Sequence, residues 1–321
     1  MKTLVAGGAG FIGSHLCDAL LEEGHIVICV DNLSRGTEEN IKHLQDFNKF
    51  QFYHTDVSEL DALREIFDNE KPEYVFHLVA NSDIQASAKQ PEIEYQCTYT
   101  TTFNILQCMK EFQVKNLFFA STSAVYGDKR GMKLTEHTPN LSPVSYYGAA
   151  KLGSEALISA YSFMDDIQAL IFRFPNVVGP RLTHGVIFDF VKKLTNNSSQ
   201  LEILGDGRQR KPYVYVKDLV QAIVYMKETR KAGVELYNLG VDSTTSVTRI
   251  ADILCEEMGL ENVEYHYTGG EAGWKGDVPR FQYCLDKIHA AGWSAQYDSD
   301  EAVRMTIKYE LDKLNWGMQT K

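Results

Sequence analysis

The chain has 321 residues, enough for one large domain or two smaller ones sharing a core. Hydrophobic residues make up 44% and charged residues 23%, the balance of an ordinary soluble globular protein. A net charge of -11 argues against nucleic acid or an anionic membrane as partner, because both reward clustered Lys and Arg.

In chain order, residues 2–6 predict a short strand, Gly7-Gly8-Ala9-Gly10-Phe11-Ile12-Gly13 a glycine loop, residues 13–23 a helix and residues 26–31 a second strand. In such a unit the first glycine permits a tight turn, the next lets backbone approach a pyrophosphate, and the last lets helix pack on sheet. The helix N-terminus then faces the phosphates, so Gly7, Gly10, Phe11, Ile12 and Gly13 are candidate cofactor contacts. Asp31 ends the second strand, where a carboxylate binds the adenosine ribose hydroxyls and repels a 2′-phosphate, which favours NAD over NADP. Arg35, close by, could instead greet a 2′-phosphate.

Further strands at 50–54, 74–78, 117–121 and 169–174 alternate with helical stretches, predicting an α/β fold with a parallel, doubly wound (Rossmann) sheet. Ligands in such sheets collect beyond the strand carboxyl ends. Asp56 and Val57, Leu78 to Ala80, and Ser121 to Ser123 occupy those ends and are cofactor-side or substrate-side candidates. Tyr147 and Lys151, four apart, fall on one helix face. Lowering a phenol pKa from about 10 to about 7 takes roughly 4 kcal/mol, and a nearby ammonium is one source of it. Together with the glycine loop, the pair reads as a redox enzyme. Beyond residue 174 the elements shorten around turns at Gly205-Asp206-Gly207, Gly240 and Gly269-Gly270. The expected division is a dinucleotide-binding domain over 1–174, with some later segments returning to it, and a smaller α/β substrate-binding lobe over 175–321. Six cysteines, at 17, 29, 97, 108, 255 and 284, lack zinc-site or dithiol spacing, so no metal is expected. No leader precedes the first strand and no apolar run approaches about 18 residues, which predicts a reduced, cytoplasmic protein.

The glycine loop, Asp31-Asn32-Leu33-Ser34-Arg35-Gly36, Asp56-Val57, His77-Leu78-Val79-Ala80, Ser121-Thr122-Ser123-Ala124-Val125-Tyr126-Gly127 and the Tyr147/Lys151 pair recur together. So do Arg173-Phe174-Pro175-Asn176-Val177-Val178-Gly179-Pro180-Arg181, Gly205-Asp206-Gly207, Tyr213-Val214-Tyr215-Val216-Lys217-Asp218-Leu219, Gly276-Asp277-Val278-Pro279 and Gly292-Trp293. Over nearly its whole length the chain thereby resembles the extended short-chain dehydrogenases/reductases, specifically the nucleotide-sugar epimerases and dehydratases. The resemblance implies NAD bound by the glycine loop, Asp31, Asn32, Ser34, Arg35, Gly36, Asp56, Val57, Leu78, Val79, Ala80, Tyr147, Lys151 and Pro175. It implies that Tyr147 takes the proton of a sugar hydroxyl, usually at C4, that Lys151 lowers the tyrosine pKa and holds the nicotinamide ribose, and that Thr122 hydrogen-bonds the same hydroxyl. Ser82, Thr122, Ser123, Asn176, Val186, Lys211 and Arg280 are the implied substrate contacts, with Asp83 and Ser87 also in the substrate loop.

Sugar 4,6-dehydratases of this family carry Asp and Glu where this chain has Ser123 and Ala124. Alanine carries no proton, which favours a 4-epimerase acting on a UDP-hexose or UDP-N-acetylhexosamine. Lys211 and Pro212 depart from the family's usual Arg and Asp, and a lysine offers charge without a bidentate fork. The stretches 183–190 and 273–277 are similar to a subgroup that makes 5,6-unsaturated UDP-N-acetylhexosamines. That keeps a dehydratase or 4-keto-sugar-forming enzyme open, including one of acidic nine-carbon sugar synthesis, with His184, Asp83 or Cys97 as proton carrier. Phe281 by its bulk favours a plain hexose, whereas the subgroup points to the N-acetyl sugar. A non-catalytic NAD-binding scaffold would show an eroded triad, and Thr122, Tyr147 and Lys151 are intact. Helices over 101–112 and 147–161 match the family's intersubunit bundle, implying a homodimer.

Overall fold

The computed structural model describes residues 1–81, 83–229 and 232–316. They form two compact units, one of Met1–Gly127, Pro139–Phe174 and Val220–Tyr237, the other of Asp128–Thr138, Pro175–Leu219 and Asn238–Lys321.

The first unit is built on seven strands: β1 (Lys2–Ala6), β2 (Ile26–Asp31), β3 (Phe50–His54), β4 (Tyr74–His77), β5 (Asn116–Thr122), β6 (Gln168–Phe174) and β7 (Val234–Asn238). Their order in the sheet is β7-β6-β5-β4-β1-β2-β3, and every pairing from β6 to β3 is parallel. A parallel sheet is covered on both faces, so its central strands must be apolar throughout. Leu4, Val5, Ala6, Val75, Phe76, Leu117, Phe118 and Phe119 are accordingly sealed from solvent. Helices α1 (Phe11–Glu22), α2 (Leu60–Glu70), α3 (Thr101–Glu111) and α4 (Tyr146–Asp165) belong to the same unit. Phe67, Leu106, Met109 and Ile158 of the last three join Leu4, Val75 and Ile171 in one core cluster.

β2 and β3 lie to one side of β1, while β4, β5 and β6 extend from the other. The strand order therefore reverses between β1 and β4, the kind of switch point where such sheets bind ligands. The strand β7 adds an edge that the alternation of earlier elements did not announce. Its sequence, Val-Glu-Leu-Tyr-Asn, alternates apolar and polar, as suits a strand paired on one side only.

The second unit contains short two-stranded pairings instead of a large sheet: Asn176–Val178 with Tyr213–Tyr215, Gln200–Ile203 with Glu264–Tyr267, and Arg210–Lys211 with Thr245–Ser246. Helices Val186–Asn196, Val247–Met258 and Ser299–Lys313 pack on one another, the last opened by a capping box between Asp298 and Glu301. Among the described residues no helix is long and apolar enough to cross a membrane.

The glycine loop closes tightest at Gly13, where a Cβ would fall 2.0 Å from the Gly7 carbonyl oxygen. Gly13→Ala must therefore move the loop or α1. It is expected to cost about 1–3 kcal/mol of stability in urea unfolding, as overpacking does, and to weaken NAD binding measured by calorimetry.

Candidate active site

The loop between β1 and α1 is a cradle that only small residues allow. Gly7 has a φ of +84, and a side chain there would meet the backbone of Leu78 and Val79 at 3.1 Å. Gly10 is the N-cap of α1 and makes no side-chain cap bond, so the helix presents open backbone N–H groups to an anion. Phe11 and Ile12 form its first turn. Asp31 closes the other side: its Oδ2 accepts from the Ala9 amide at 3.0 Å and its Oδ1 from the Leu33 amide at 2.8 Å. Burial pushes its carboxyl pKa up, against the pull of those amides. Asp31 thus braces the glycine loop, a role the strand-end position alone did not reveal. Gly36 rests on Ala9, where a Cβ would come within 2.8 Å.

Asn32 donates to Asp56 Oδ2 at 2.7 Å and accepts from the Ser34 amide at 3.0 Å, tying the ends of β2 and β3 together. Burial works to raise the Asp56 pKa, but hydrogen bonds from Ser58 and Asn32 outweigh it and leave the group low. Neighbouring Val57 is buried. Arg35 directs its guanidinium to Asn81 Oδ1 at 3.3 Å and to the Asp83 carboxylate at 3.2 Å. The ion pair is half-exposed and joins the segment after β2 to the loop after β4. The glycine cradle, the open helix terminus and the Asp31 carboxylate together fit NAD.

Thr122 is the last residue of β5, and its Oγ1 accepts from the Ala124 amide at 3.2 Å. Ser123 and Ala124 begin a single 3₁₀ turn, Ser123–Tyr126. Ser145 caps α4 by accepting from the Gly148 amide at 3.1 Å. Gly148 then lets the helix seat closely on the turn, because a Cβ there would lie 2.6 Å from the Ala124 carbonyl oxygen. That contact brings Tyr147 to Thr122, whose side chain hydrogen-bonds the phenol. One turn on, Lys151 is 1% exposed. Its Nζ donates to the Ala120 carbonyl at 2.7 Å and stands 4.5 Å over the Phe119 ring.

Burial pulls the Lys151 pKa down to about 7, with Glu94 and Glu155 opposing. Burial also raises the Tyr147 phenol, Glu94 adds to the rise, and Thr122 offsets part of it. The expected lowering of the tyrosine pKa by Lys151 is therefore absent in this state. The reason is physical: both groups are desolvated, and the ammonium is turned to the Ala120 carbonyl.

Sequence reasoning missed the groups that surround the pair. Glu155, a further turn along α4, forms a buried bidentate ion pair with Arg173 at 3.0 and 2.6 Å and accepts a hydrogen bond from Ser121. Its spacing of four from Lys151 was the available signal. Glu94 is 2% exposed and accepts from Asn81 Nδ2 and from Thr98 Oγ1, each at 2.8 Å. Nothing local marked it except the i, i+4 spacing of Glu94 and Thr98. Of the candidate substrate loop, Ser82 lies outside the described residues. Asp83 caps the helix Ile84–Lys89 by accepting from the Ala86 amide at 2.9 Å, and Ser87 donates to the Ile84 carbonyl, so both hold local structure. Cys97 is exposed.

In the second unit, Asn176 pairs in register with Tyr213 and hydrogen-bonds its phenol. Pro175 lies against Gly240, whose Cβ would come within 3.2 Å of its ring. Val186 opens the helix Val186–Asn196. The Lys211 ammonium is held by Asp277 at 2.5 Å, so its charge is already partly balanced. Arg280 is exposed and bridges backbone to Arg210, next to Lys211. Phe281 packs on Tyr283 with ring centroids 5.4 Å apart.

Folding lowers the Lys151 pKa from 10.5 to about 7, so between those values the unfolded chain binds more protons. The residue therefore costs stability below about pH 7, and the cost is relieved as pH rises toward 10.5. Lys151→Met is expected to unfold at higher urea than the parent below pH 7, with the advantage shrinking as pH rises.

The sequence pattern of the NAD dependent epimerase/dehydratase family matches residues 3–240. A putative UDP-glucose 4-epimerase of Methanocaldococcus jannaschii is 32% identical over 311 residues, covering 95% of this chain and 97% of that protein. The crystal structure of a UDP-glucose 4-epimerase of Thermotoga maritima with UDP-glucose is 31% identical with a TM-score of 0.89, covering 98% of this chain and 100% of that one. A Thermus thermophilus UDP-glucose 4-epimerase in complex with NAD is 28% identical with a TM-score of 0.86, covering 96% and 98%. On the fold, the cradle and these likenesses, the chain belongs to the NAD-dependent epimerase/dehydratase family.

Proposed function

We propose that this protein is a UDP-sugar 4-epimerase that oxidises C4 of a UDP-hexose or UDP-N-acetylhexosamine to a transient ketone and re-reduces it on the opposite face. The observation that carries the reading is the meeting of Thr122, Tyr147 and Lys151 at the carboxyl end of β5, beside a Ser123-Ala124 pair that holds no acid or base for elimination. Likeness to UDP-glucose 4-epimerases supports the same choice.

Bound NAD supplies a reversible acceptor for the C4 hydrogen. Tyr147 takes the proton from the C4 hydroxyl and returns it after the ketone has turned. Thr122 orients that hydroxyl by hydrogen bonding to the phenol side of the site. Lys151 as an ammonium stabilises the phenolate and contacts the cofactor ribose, a role it fills once it leaves the Ala120 carbonyl. Gly7, Gly10 and Gly13 admit the pyrophosphate, and Asp31 meets the adenosine ribose. Asn176, Lys211 and Arg280 are assigned to the UDP diphosphate, Lys211 by exchanging part of its Asp277 contact for phosphate.

The subgroup likeness in 183–190 and 273–277 gives a second reading, net dehydration of the same substrates. Proton NMR of products from UDP-glucose, UDP-N-acetylglucosamine and their C4 epimers separates the two. Inversion at C4 is expected, and loss of the C6 hydroxyl without inversion would sink the epimerase assignment. Tyr147→Phe is expected to cut turnover about 100-fold or more.

A further inference from the structure

β4 ends at His77, and the next three residues, Leu78, Val79 and Ala80, run past the glycine loop. A side chain at Gly7 would meet the backbone of Leu78 and Val79, and the Leu78 amide donates to the Ala6 carbonyl at 2.9 Å. These three residues are half-buried, whereas His77 and Asn81 on either side of them are sealed, at 0% and 4% exposure. Ligands in such sheets lie beyond the strand ends, so whatever fixes this backbone fixes a wall of the cofactor site.

Both buried anchors go to one helical run. A π-helical stretch, Tyr95–Thr100, leads directly into α3, and Thr98 and Thr102, four residues apart, are sealed from solvent. Such π-turns recur at functional sites. At one end of the segment, His77 Nε2 meets Thr102 Oγ1 at 2.9 Å. At the other, the Asn81 backbone amide donates to Thr98 Oγ1 at 3.3 Å, and Asn81 Nδ2 and Thr98 Oγ1 each donate to Glu94 at 2.8 Å. The two threonines are joined as well, because Thr102 Oγ1 donates to the Thr98 carbonyl at 2.8 Å.

That last bond fixes the state of the histidine. A threonine hydroxyl has one hydrogen, and the Thr98 carbonyl takes it, so His77 Nε2 is the donor toward Thr102. Nδ1 is buried and has no hydrogen-bond partner among the described residues, so a second proton there would be an unpaired donor. Burial accordingly holds the His77 pKa well below its ordinary value, and the charge of Lys151 adds to the fall.

We infer that Thr98 and Thr102 are positioning residues that clamp the two ends of segment 78–80, Thr102 through the neutral Nε2–H form of His77 and Thr98 through Asn81, and so hold that backbone where NAD lies along it. Loss of either hydroxyl frees one end of the segment and leaves a buried donor unpaired. A wall that is in place for only part of the time lowers the apparent affinity by that fraction.

The inference rests on the NAD site of the proposed reading and not on the sugar, and it is tested on the full chain without turnover. NAD affinity is measured by calorimetry and stability by urea unfolding for Thr98→Val and Thr102→Val, which keep the shape of the side chain and remove the hydroxyl. Each is expected to weaken NAD binding about fivefold or more, while Thr98→Ser and Thr102→Ser, which keep the hydroxyl, stay within about twofold of the parent. A role confined to holding the fold would lower the urea midpoint and leave the NAD affinity of the folded protein unchanged, and that result in either valine variant would overturn the inference. Nitrogen-15 NMR of the histidine rings gives a second readout on the unaltered protein. The His77 signal, identified by its loss in His77→Gln, is expected to show a proton on Nε2 alone, and a proton on Nδ1 would also overturn the inference. Failure of the parent to bind NAD would instead overturn the cofactor reading on which it rests.

Discussion

Helix α4 sits so close to the end of β5 that no side chain fits at Gly148, and Lys151 makes its hydrogen bond to the backbone of that same strand. This seating is the constraint on which the site depends. It fixes Tyr147 against Thr122, sinks Lys151 out of water, and puts Glu155 where Arg173 of β6 can clamp it. Breaking one side of such a buried pair leaves an uncompensated charge at a cost of about 3–5 kcal/mol. The clamp therefore resists displacement of α4 from the sheet, and the geometry of the Tyr147 and Lys151 pair follows from the packing beneath it.

The glycine loop works by the same kind of exclusion. A Cβ at Gly13 would overlap the Gly7 carbonyl, and one at Gly7 would meet the backbone after β4. The close approach of three backbone segments at the switch point leaves the start of α1 open, with Asp31 bracing the loop from below. Cofactor recognition and sheet topology are thus one arrangement, since the reversal between β1 and β4 is what creates the crevice.

Much of this was legible in the sequence because it depends on local rules. The glycine spacing, the acid ending β2 and the four-residue interval from Tyr147 to Lys151 each follow from backbone geometry that a short window contains. The strands buried on both faces read directly as apolar runs. What escaped was set by long-range packing. Glu94 lies far along the chain from Lys151, and nothing in Pro91-Glu92-Ile93-Glu94 distinguishes a buried carboxylate from a solvated one. The depression of the Lys151 pKa, and the rise of Tyr147 in place of the expected fall, come from desolvation by the assembled fold. The edge strand β7 depends on pairing with β6, a distant partner in sequence, whereas the return of a later segment to the first unit was expected.

A 4-epimerase of the kind proposed oxidises and re-reduces the same carbon within one site. UDP-glucose bearing deuterium at C4 tests it most directly, with the products read by NMR and mass spectrometry. The inverted sugar is expected to retain its deuterium at C4. Exchange of that label with water, or consumption of the substrate without any inverted product, would contradict it.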